Sequence, residues 1–520
     1  MLLVPASGAG GLSSASGAGG LSSASGAGGL AAFQAPNLDY IALGPEIILT
    51  ATLVVAILVD VVLDERSKVW VTRLTGLGIL LATLPIFYMA SEGISGQARV
   101  MFGGAYVTDT FSLVLKALLL VSAFVVFLLS FDYIADGDYY EGEFAYMVLS
   151  SLLGMVVMAS SRDLVTIFVA LELLSIPGYL LAGWRKRDQK SNEASLKYYL
   201  LGVLASSLML YGMSLIYGFT GSLVLSEIGP RLAGEAGDKP IVAVAIFLVI
   251  VGFAFKISAV PFHFWAPDTY EGAPSPVAAF LSTASKIGGF VGLLVLMFKA
   301  FPEVADIWRP VFAVLATLTM TVGNLIALRQ RHIIRLLAYS GIAQSGYILV
   351  ALALIDPSSP GVSRQALESA LVYIAIYGVM DLGAFAAVVA YARRGGTYFI
   401  DDYAGLWQRS PVLATLLTGF LLSLAGAPPM AGAWAKLFVF LAAINAQVYW
   451  LAVVMGVNAV IAAWYYLAVV KRMFFEAPEL EGPVEVPYLL RAVMGVAALA
   501  LLVVFVYPPV ITELAERSVL

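Results

Sequence analysis

Glu172, Lys197, Lys256, Lys286 and Lys436 are the residues whose types and positions could do chemistry. Glu172 lies in Thr-Ile-Phe-Val-Ala-Leu-Glu-Leu-Leu and Lys256 in Val-Gly-Phe-Ala-Phe-Lys-Ile-Ser. Lys286 follows about ten apolar or small residues of a further run, and Lys436 follows Pro428-Pro429. A charged side chain at mid-bilayer costs ~2.5–3.5 kcal/mol on insertion scales, so each charge placed there is a candidate for function. Lysine suits proton transfer, because desolvation and nearby cations bring its pKa down from about 10.4 toward neutrality, whereas arginine stays charged. One lysine could equally snorkel to an interface or close a structural ion pair. Three lysines and a glutamate at this depth favour a proton path.

Glu193 and Lys197 are spaced i, i+4 in Asn-Glu-Ala-Ser-Leu-Lys-Tyr-Tyr, which suits a simple helix salt bridge. The functional alternative makes Lys197 the partner of Glu172, holding that acid ionised until a proton arrives. His263 could relay protons beside Lys256, since imidazole titrates near neutral pH, or could be a packing residue. Lys116 and Asp381 are further buried candidates without a stronger argument. Asp268 and Glu271 fall in a proline-rich connection and are expected to be solvated. His332 begins an apolar run among arginines and is expected at an interface.

The elements that carry these residues must be membrane helices. Of 520 residues, 61% are hydrophobic and only 12% charged, half the charge of a soluble domain, which is about 25%. Such a chain has too little polar surface to face water, so lipid is its solvent. Runs of spanning length fall near 42–63, 69–90, 109–132, 143–160, 163–183, 193–218 and 240–264. Others fall near 276–298, 309–328, 332–354, 366–392, 411–445, 448–472 and 488–512. The expectation is an all-α polytopic membrane protein of about 14 transmembrane helices. With no cysteine and two histidines, disulfides, thiolate metal sites and cysteine-held iron–sulfur clusters are excluded. No basic stretch with interleaved aromatics suggests nucleic acid.

Helices 7 and 12 read as broken. The seventh contains Pro261 and the twelfth Pro428-Pro429, each close to a lysine. Proline inside a membrane helix frees a carbonyl, which is tolerated where it lines a protein-enclosed cavity. The breaks are five helices apart, and a five-helix unit duplicated in tandem comes out inverted, a common transporter construction. The organisation expected is a Gly/Ser/Ala repeat tail at 1–40, helices 1–3 at 41–142, a first five-helix repeat at 143–300, a second inverted repeat at 301–475, and a last helix at 476–520. The tail repeats Ser-Gly-Ala-Gly-Gly-Leu-Ser-Ser-Ala from Ser7 and Ser16, too poor in apolar mass to fold.

Alternate loops collect Arg66, Lys68, Arg185, Lys186, Arg187, Lys190, Arg329, Arg331, Arg393, Arg394, Arg409, Lys471 and Arg472. The positive-inside rule makes these cytoplasmic and puts both termini on the outer side of a bacterial plasma membrane.

Several stretches resemble the antiporter-like subunits of respiratory complex I and of multisubunit cation/proton antiporters. They are Phe-Lys256-Ile-Ser-Ala-Val-Pro-Phe-His263-Phe-Trp-Ala-Pro-Asp268, Leu-Ser-Thr-Ala-Ser-Lys286, and Leu-Ser-Leu-Ala-Gly-Ala-Pro-Pro-Met-Ala-Gly-Ala-Trp-Ala-Lys436. With Ala-Leu-Glu172-Leu-Leu and Glu193-Ala-Ser-Leu-Lys197-Tyr, the pattern is most similar to the subunit N family of NADH-quinone oxidoreductase. The resemblance implies 14 helices, two inverted five-helix repeats and a central hydrophilic axis. It implies that Glu172 and Lys197 couple, that Lys256 switches, that Lys286 connects and that Lys436 exchanges the proton at the end. Gln344 departs from the pattern, standing where many relatives have a histidine. The resemblance further implies that NADH, FMN, iron–sulfur clusters and quinone belong to partner subunits, with neighbouring antiporter-like subunits as contacts. A sodium/proton antiporter subunit and a purely structural membrane subunit are the rival readings.

Overall fold

The computed structural model describes residues 38–520 apart from 64–68, 92–97, 136–140, 234–239, 396, 479–481 and 520. Residues 1–37 of the repeat tail, Arg66 and Lys68 lie outside the described residues. The path begins with α1 (Gly44–Val62), α2 (Val69–Leu81), α3 (Leu84–Ser91) and a short hairpin of β1 (Arg99–Met101) and β2 (Tyr106–Thr108). It continues through α4 (Thr110–Ala135), α5 (Glu141–Ser160), α6 (Leu164–Ala182), α7 (Gln189–Thr220), α8 (Leu225–Leu232), α9 (Pro240–Lys256) and α10 (Trp265–Gly272). Then come α11 (Ser275–Ser282), α12 (Ala284–Lys299), α13 (Ala305–Ala327), α14 (Ile333–Ala353) and α15 (Pro360–Gly395). The last elements are α16 (Leu406–Arg409), α17 (Pro411–Ala425), α18 (Gly432–Asn445), α19 (Tyr449–Phe475), α20 (Tyr488–Val506) and α21 (Pro509–Arg517).

Twelve stretches among the described residues are long and apolar enough to cross a membrane, and α9, α17 and α18 are shorter apolar helices. The segments expected at 240–264 and 411–445 are interrupted pairs. The first pauses between Lys256 and Trp265, the second between Ala425 and Gly432. The hairpin, which pairs Arg99 with Thr108 and Met101 with Tyr106, is a small addition to an otherwise helical chain. One detail corrects the sequence reading. The segment expected to span 488–512 ends as α20 at Val506, before Pro508, and resumes as the separate α21, because proline cannot supply the next backbone donor.

Burial sorts the helices into enclosed and lipid-facing ones. The spanning windows of α11–α12, α14 and α15 are 100%, 94% and 89% buried, whereas those of α1 and α20 are 28% and 22% buried. Large apolar side chains stand outward on the peripheral helices, among them Val62, Trp464 and Val506, as a lipid solvent requires. Polar groups in the middle of these helices, such as Lys286, Gln344 and Asp381, are thus sealed within protein.

Candidate functional site

Lys256 ends α9 at the first helix break and is 2% exposed. Its Nζ donates to Ser175 Oγ at 2.9 Å on α6 and to Tyr198 OH at 3.1 Å on α7. Tyr198 is held by stacking on Trp265, with ring centroids 4.2 Å apart and planes 12° apart. The break leaves backbone groups that need partners, and side chains supply them. Trp265 Nε1 donates to Phe255 O at 3.0 Å, Ser345 Oγ donates to Ile257 O at 2.8 Å, and Val260 N donates to Thr319 Oγ1 at 3.0 Å. The interruption is therefore built, with α13 and α14 stitched to it.

Glu172 lies one turn before Ser175 on α6, on the face that meets Lys256. Its carboxylate faces Ser206 of α7 and interacts electrostatically with Lys256, and Oε1 is buried without a hydrogen-bond partner among the described residues. Lys197 is placed elsewhere. Its Nζ lies 2.7 Å from Glu193 Oε1 and 2.9 Å from Asp268 Oδ2, and no ion pair joins it to Glu172 among the described residues. The register of the antiparallel helices α6 and α7 explains why. Ser195 bonds Tyr179 O, whereas Glu172 sits level with Ser206. Lys197 is nine residues from Ser206, a displacement of about 13 Å along the helix.

Asp268 and Glu271, expected in solvent, are instead partly buried and ion-paired. Arg335 Nη1 reaches Asp268 Oδ1 at 2.9 Å and Glu271 Oε2 at 2.8 Å, and Lys190 lies 3.9 Å from Glu271. With Glu193 and Lys197 these side chains line a polar cleft of about 160 Å³ at one end of the bundle. The sequence showed these charges but not that α7, α10 and α14 bring them together.

Lys286, 0% exposed on α12, lies 5.9 Å above the Tyr270 ring. From its neighbourhood a line of polar residues runs along one face of α15. Asp381, Tyr377 and Tyr373 recur every four residues, and Tyr377 OH donates to Ser282 O at 2.9 Å. Facing them on α14, Ser340 bonds Tyr466, and Gln344 accepts from Tyr373 OH while donating to Leu424 O at 2.9 Å. Gln344 thus bridges the line to the second break. The Tyr-x3-Tyr-x3-Asp spacing in an apolar run was the signal that could have revealed this face.

Lys436 closes the series. Its Nζ donates to Ala425 O at 2.7 Å and Leu424 O at 3.0 Å, and sits 4.8 Å over the Tyr347 ring. Those carbonyls end α17, where the helix dipole favours a cation. Gly426 turns the chain there with φ of +84°, and an added Cβ would stand 2.6 Å from Lys436 Cδ. The break and the lysine are one construction.

His263 is buried in the first break with Nδ1 lacking a hydrogen-bond partner among the described residues. The Lys256 hydrogen bonds go to Ser175 and Tyr198, not to His263. His332 stands just before α14, its ring beside those of Tyr398 and Phe399. Lys116 forms a buried ion pair with Glu46 at 2.7 Å and is tied to the hairpin through Tyr106. Among the described residues no group of three or more His, Asp or Glu side chains is placed to hold a metal ion.

The family model described as "NADH:quinone oxidoreductase/Mrp antiporter, TM" matches residues 161–462, which contain every residue of this line from Glu172 to Lys436. "NADH-quinone oxidoreductase subunit N 2" of Symbiobacterium thermophilum is 44% identical over 464 residues, 85% of this chain and 89% of its own length. A chain of respiratory complex I from Thermus thermophilus with bound aureothin matches with a TM-score of 0.74 at 34% identity, over 91% of this chain and 99% of that one. A chain of the Mrp complex from Dietzia sp. DQ12-45-1b matches with a TM-score of 0.81 over 92% of this chain and 97% of that one, but at 20% identity the likeness is of fold. This chain belongs to the NADH:quinone oxidoreductase/Mrp antiporter membrane family, within its complex I subunit N group.

Proposed function

We propose that this chain translocates protons as the subunit N of a complex I, driven by NADH oxidation and quinone reduction in partner subunits. One observation carries the reading. Lys256 is buried at a helix break and bonded to two neutral hydroxyls, with no direct ion pair among the described residues. An ammonium so held can release its proton without leaving a carboxylate stranded, as an ion-paired lysine would.

The ion cluster around Lys197, Asp268 and Arg335 forms the cytoplasmic approach, and its cleft admits water to the end of α7. Tyr198, the next residue, hands the approach on to Lys256. Glu172 sets the charge seen by Lys256: its ionised form favours the ammonium, and its neutralisation favours release. The proton then moves by Lys286 and the α14–α15 line to Lys436, which exchanges it at the outer side. The redox groups lie in partner chains, and this chain holds none. The two breaks belong to inverted five-helix repeats at 143–300 and 301–475, in a plasma membrane with both termini outside.

The test is NADH-driven proton uptake into membrane vesicles, wild type against Lys256→Ala at matched complex content. Pumping is expected to fall more than tenfold while the complex still assembles. Normal pumping by assembled Lys256→Ala overturns the path. A wild-type complex without NADH-driven pumping overturns the redox coupling in favour of a cation/proton antiporter.

A further inference from the structure

Asp381 is fully buried at the start of the α15 polar line, and the path through that line leaves open whether its carboxylate itself carries a proton. One of its oxygens is accounted for. Oδ2 accepts from Ser282 Oγ and, at 2.8 Å, from Thr283 Oγ1, which pins the junction of α11 and α12 to α15. The other oxygen, Oδ1, is buried without a hydrogen-bond partner among the described residues. Lys286 Nζ, three residues beyond Thr283, is likewise buried without one. The two groups interact electrostatically although no direct ion pair joins them. The space around the ammonium depends on α14 having no side chain at Gly341. A Cβ there would stand 2.9 Å from Lys286 Nζ and 3.1 Å from Tyr377 OH.

A purely structural staple needs Oδ2 alone, and an asparagine would serve it as well. An ionised carboxylate sealed in protein is costly unless a positive charge answers it. Lys286 is the cation that does so here, and each group has one atom to spare.

We infer that Lys286 and Asp381 together form a proton store at the middle of the path, Asp381 being a second proton-carrying residue. This rests on the proton-translocation reading above and adds a residue to it. At rest the pair holds one proton. With the proton on Lys286 the pair is an ammonium and a carboxylate. When it moves, an N–H bond of Lys286 breaks, its electron pair stays on Nζ, and an O–H bond forms at Asp381 Oδ1, giving a neutral amine and a neutral acid. Both forms have zero net charge, so neither leaves an isolated ion in a low-dielectric interior. A second proton arriving from Lys256 makes an ammonium beside a carboxylic acid, with net charge +1. That unfavourable form drives a proton on past Tyr377 and Gln344 toward Lys436.

The experiment compares wild type, Asp381→Asn and Asp381→Glu in assembled complex, reading pumping per NADH oxidised and the NADH-triggered infrared difference spectrum. Asparagine keeps the acceptor for Ser282 and Thr283 but cannot take up a proton. Pumping is expected to fall more than fivefold in Asp381→Asn, to recover in part in Asp381→Glu, and a protonated-carboxyl band is expected to vanish in the first and shift in the second. Wild-type pumping by Asp381→Asn with the band unchanged overturns the store and leaves a staple. If Asp381→Asn fails to assemble, an unshifted band in Asp381→Glu overturns it equally. Since wild type and Lys256→Ala are run alongside, an intact response to Lys256→Ala with none to Asp381→Asn removes this inference alone.

Discussion

Lys197 and Tyr198 are consecutive on α7 and bind in different worlds: the Lys197 ammonium is 2.9 Å from Asp268 in the polar cleft, while Tyr198 OH lies 3.1 Å from buried Lys256 Nζ. Successive residues on a helix point about 100° apart, so a single residue step separates an aqueous approach from an enclosed charge. Trp265 tightens the link, since it stacks on Tyr198 and lies three residues before Asp268 on α10. A shift of α10 would reach both residues at once.

That relationship makes Tyr198→Phe informative. The ring and its stacking on Trp265 remain, and Lys256 loses one of two hydroxyl acceptors. A hydrogen bond to a charged group is worth ~1.5–3 kcal/mol, so pumping per complex is expected to fall about tenfold with assembly intact. Vesicle pumping at matched content checks this, and an unchanged rate would show that Ser175 alone positions the ammonium.

Gly426 offers a test of the second break. Its φ of +84° and the 2.6 Å approach of Lys436 Cδ both oppose a side chain, whereas Gly482, with φ of +93°, has open space around it. Gly426→Ala and Gly482→Ala share the left-handed backbone penalty of ~1–2 kcal/mol. Pumping is expected to drop several-fold in Gly426→Ala and to stay near wild type in Gly482→Ala. Equal effects on pumping would show that backbone strain, not displacement of Lys436, is what matters.

Outside the membrane helices, Asp39 predicts an acid response. Burial alone would raise its carboxyl, but the N–H groups of Ala42 and Ile41 and the Arg99 guanidinium at 2.8 Å outweigh it and hold the group below the usual carboxylate range. A depressed folded-state pKa contributes stability above the unfolded value of about 4, which is lost as pH falls through the folded value. Proteolysis near the β1–β2 hairpin is therefore expected to rise in acid for wild type. Asp39→Asn should cleave faster at neutral pH and show a flatter pH profile. Parallel profiles for the two would mean that the Arg99 contact does not anchor the hairpin.

Much was legible in the sequence because it depends on local chemistry. Lys256, Lys286 and Lys436 stand out since charge in an apolar run is costly wherever the chain goes next. Pro261 and Pro428-Pro429 mark the breaks since proline lacks the donor that a helix needs at that residue. The Glu193 partner of Lys197 was legible from the i, i+4 spacing, but its second partner was not. Asp268 carries no mark of that contact in the sequence, and the register of α6 against α7 and the approach of α10 set Lys197 beside it and away from Glu172.

The sequence by itself determined that this is a multi-pass helical membrane protein and marked the charges that fall within its apolar runs, because hydropathy acts within each segment. Only the tertiary structure decided that Ser175 and Tyr198 hold Lys256, that Gln344 joins Tyr373 to the Leu424 carbonyl of α17, and that Asp381 takes Ser282 and Thr283 as partners, one turn of chain from Lys286. Hydroxyls and amides are cheap to place along a span and carry no mark of their partner. What pairs them is the rotation and vertical offset of packed helices, which no single segment contains.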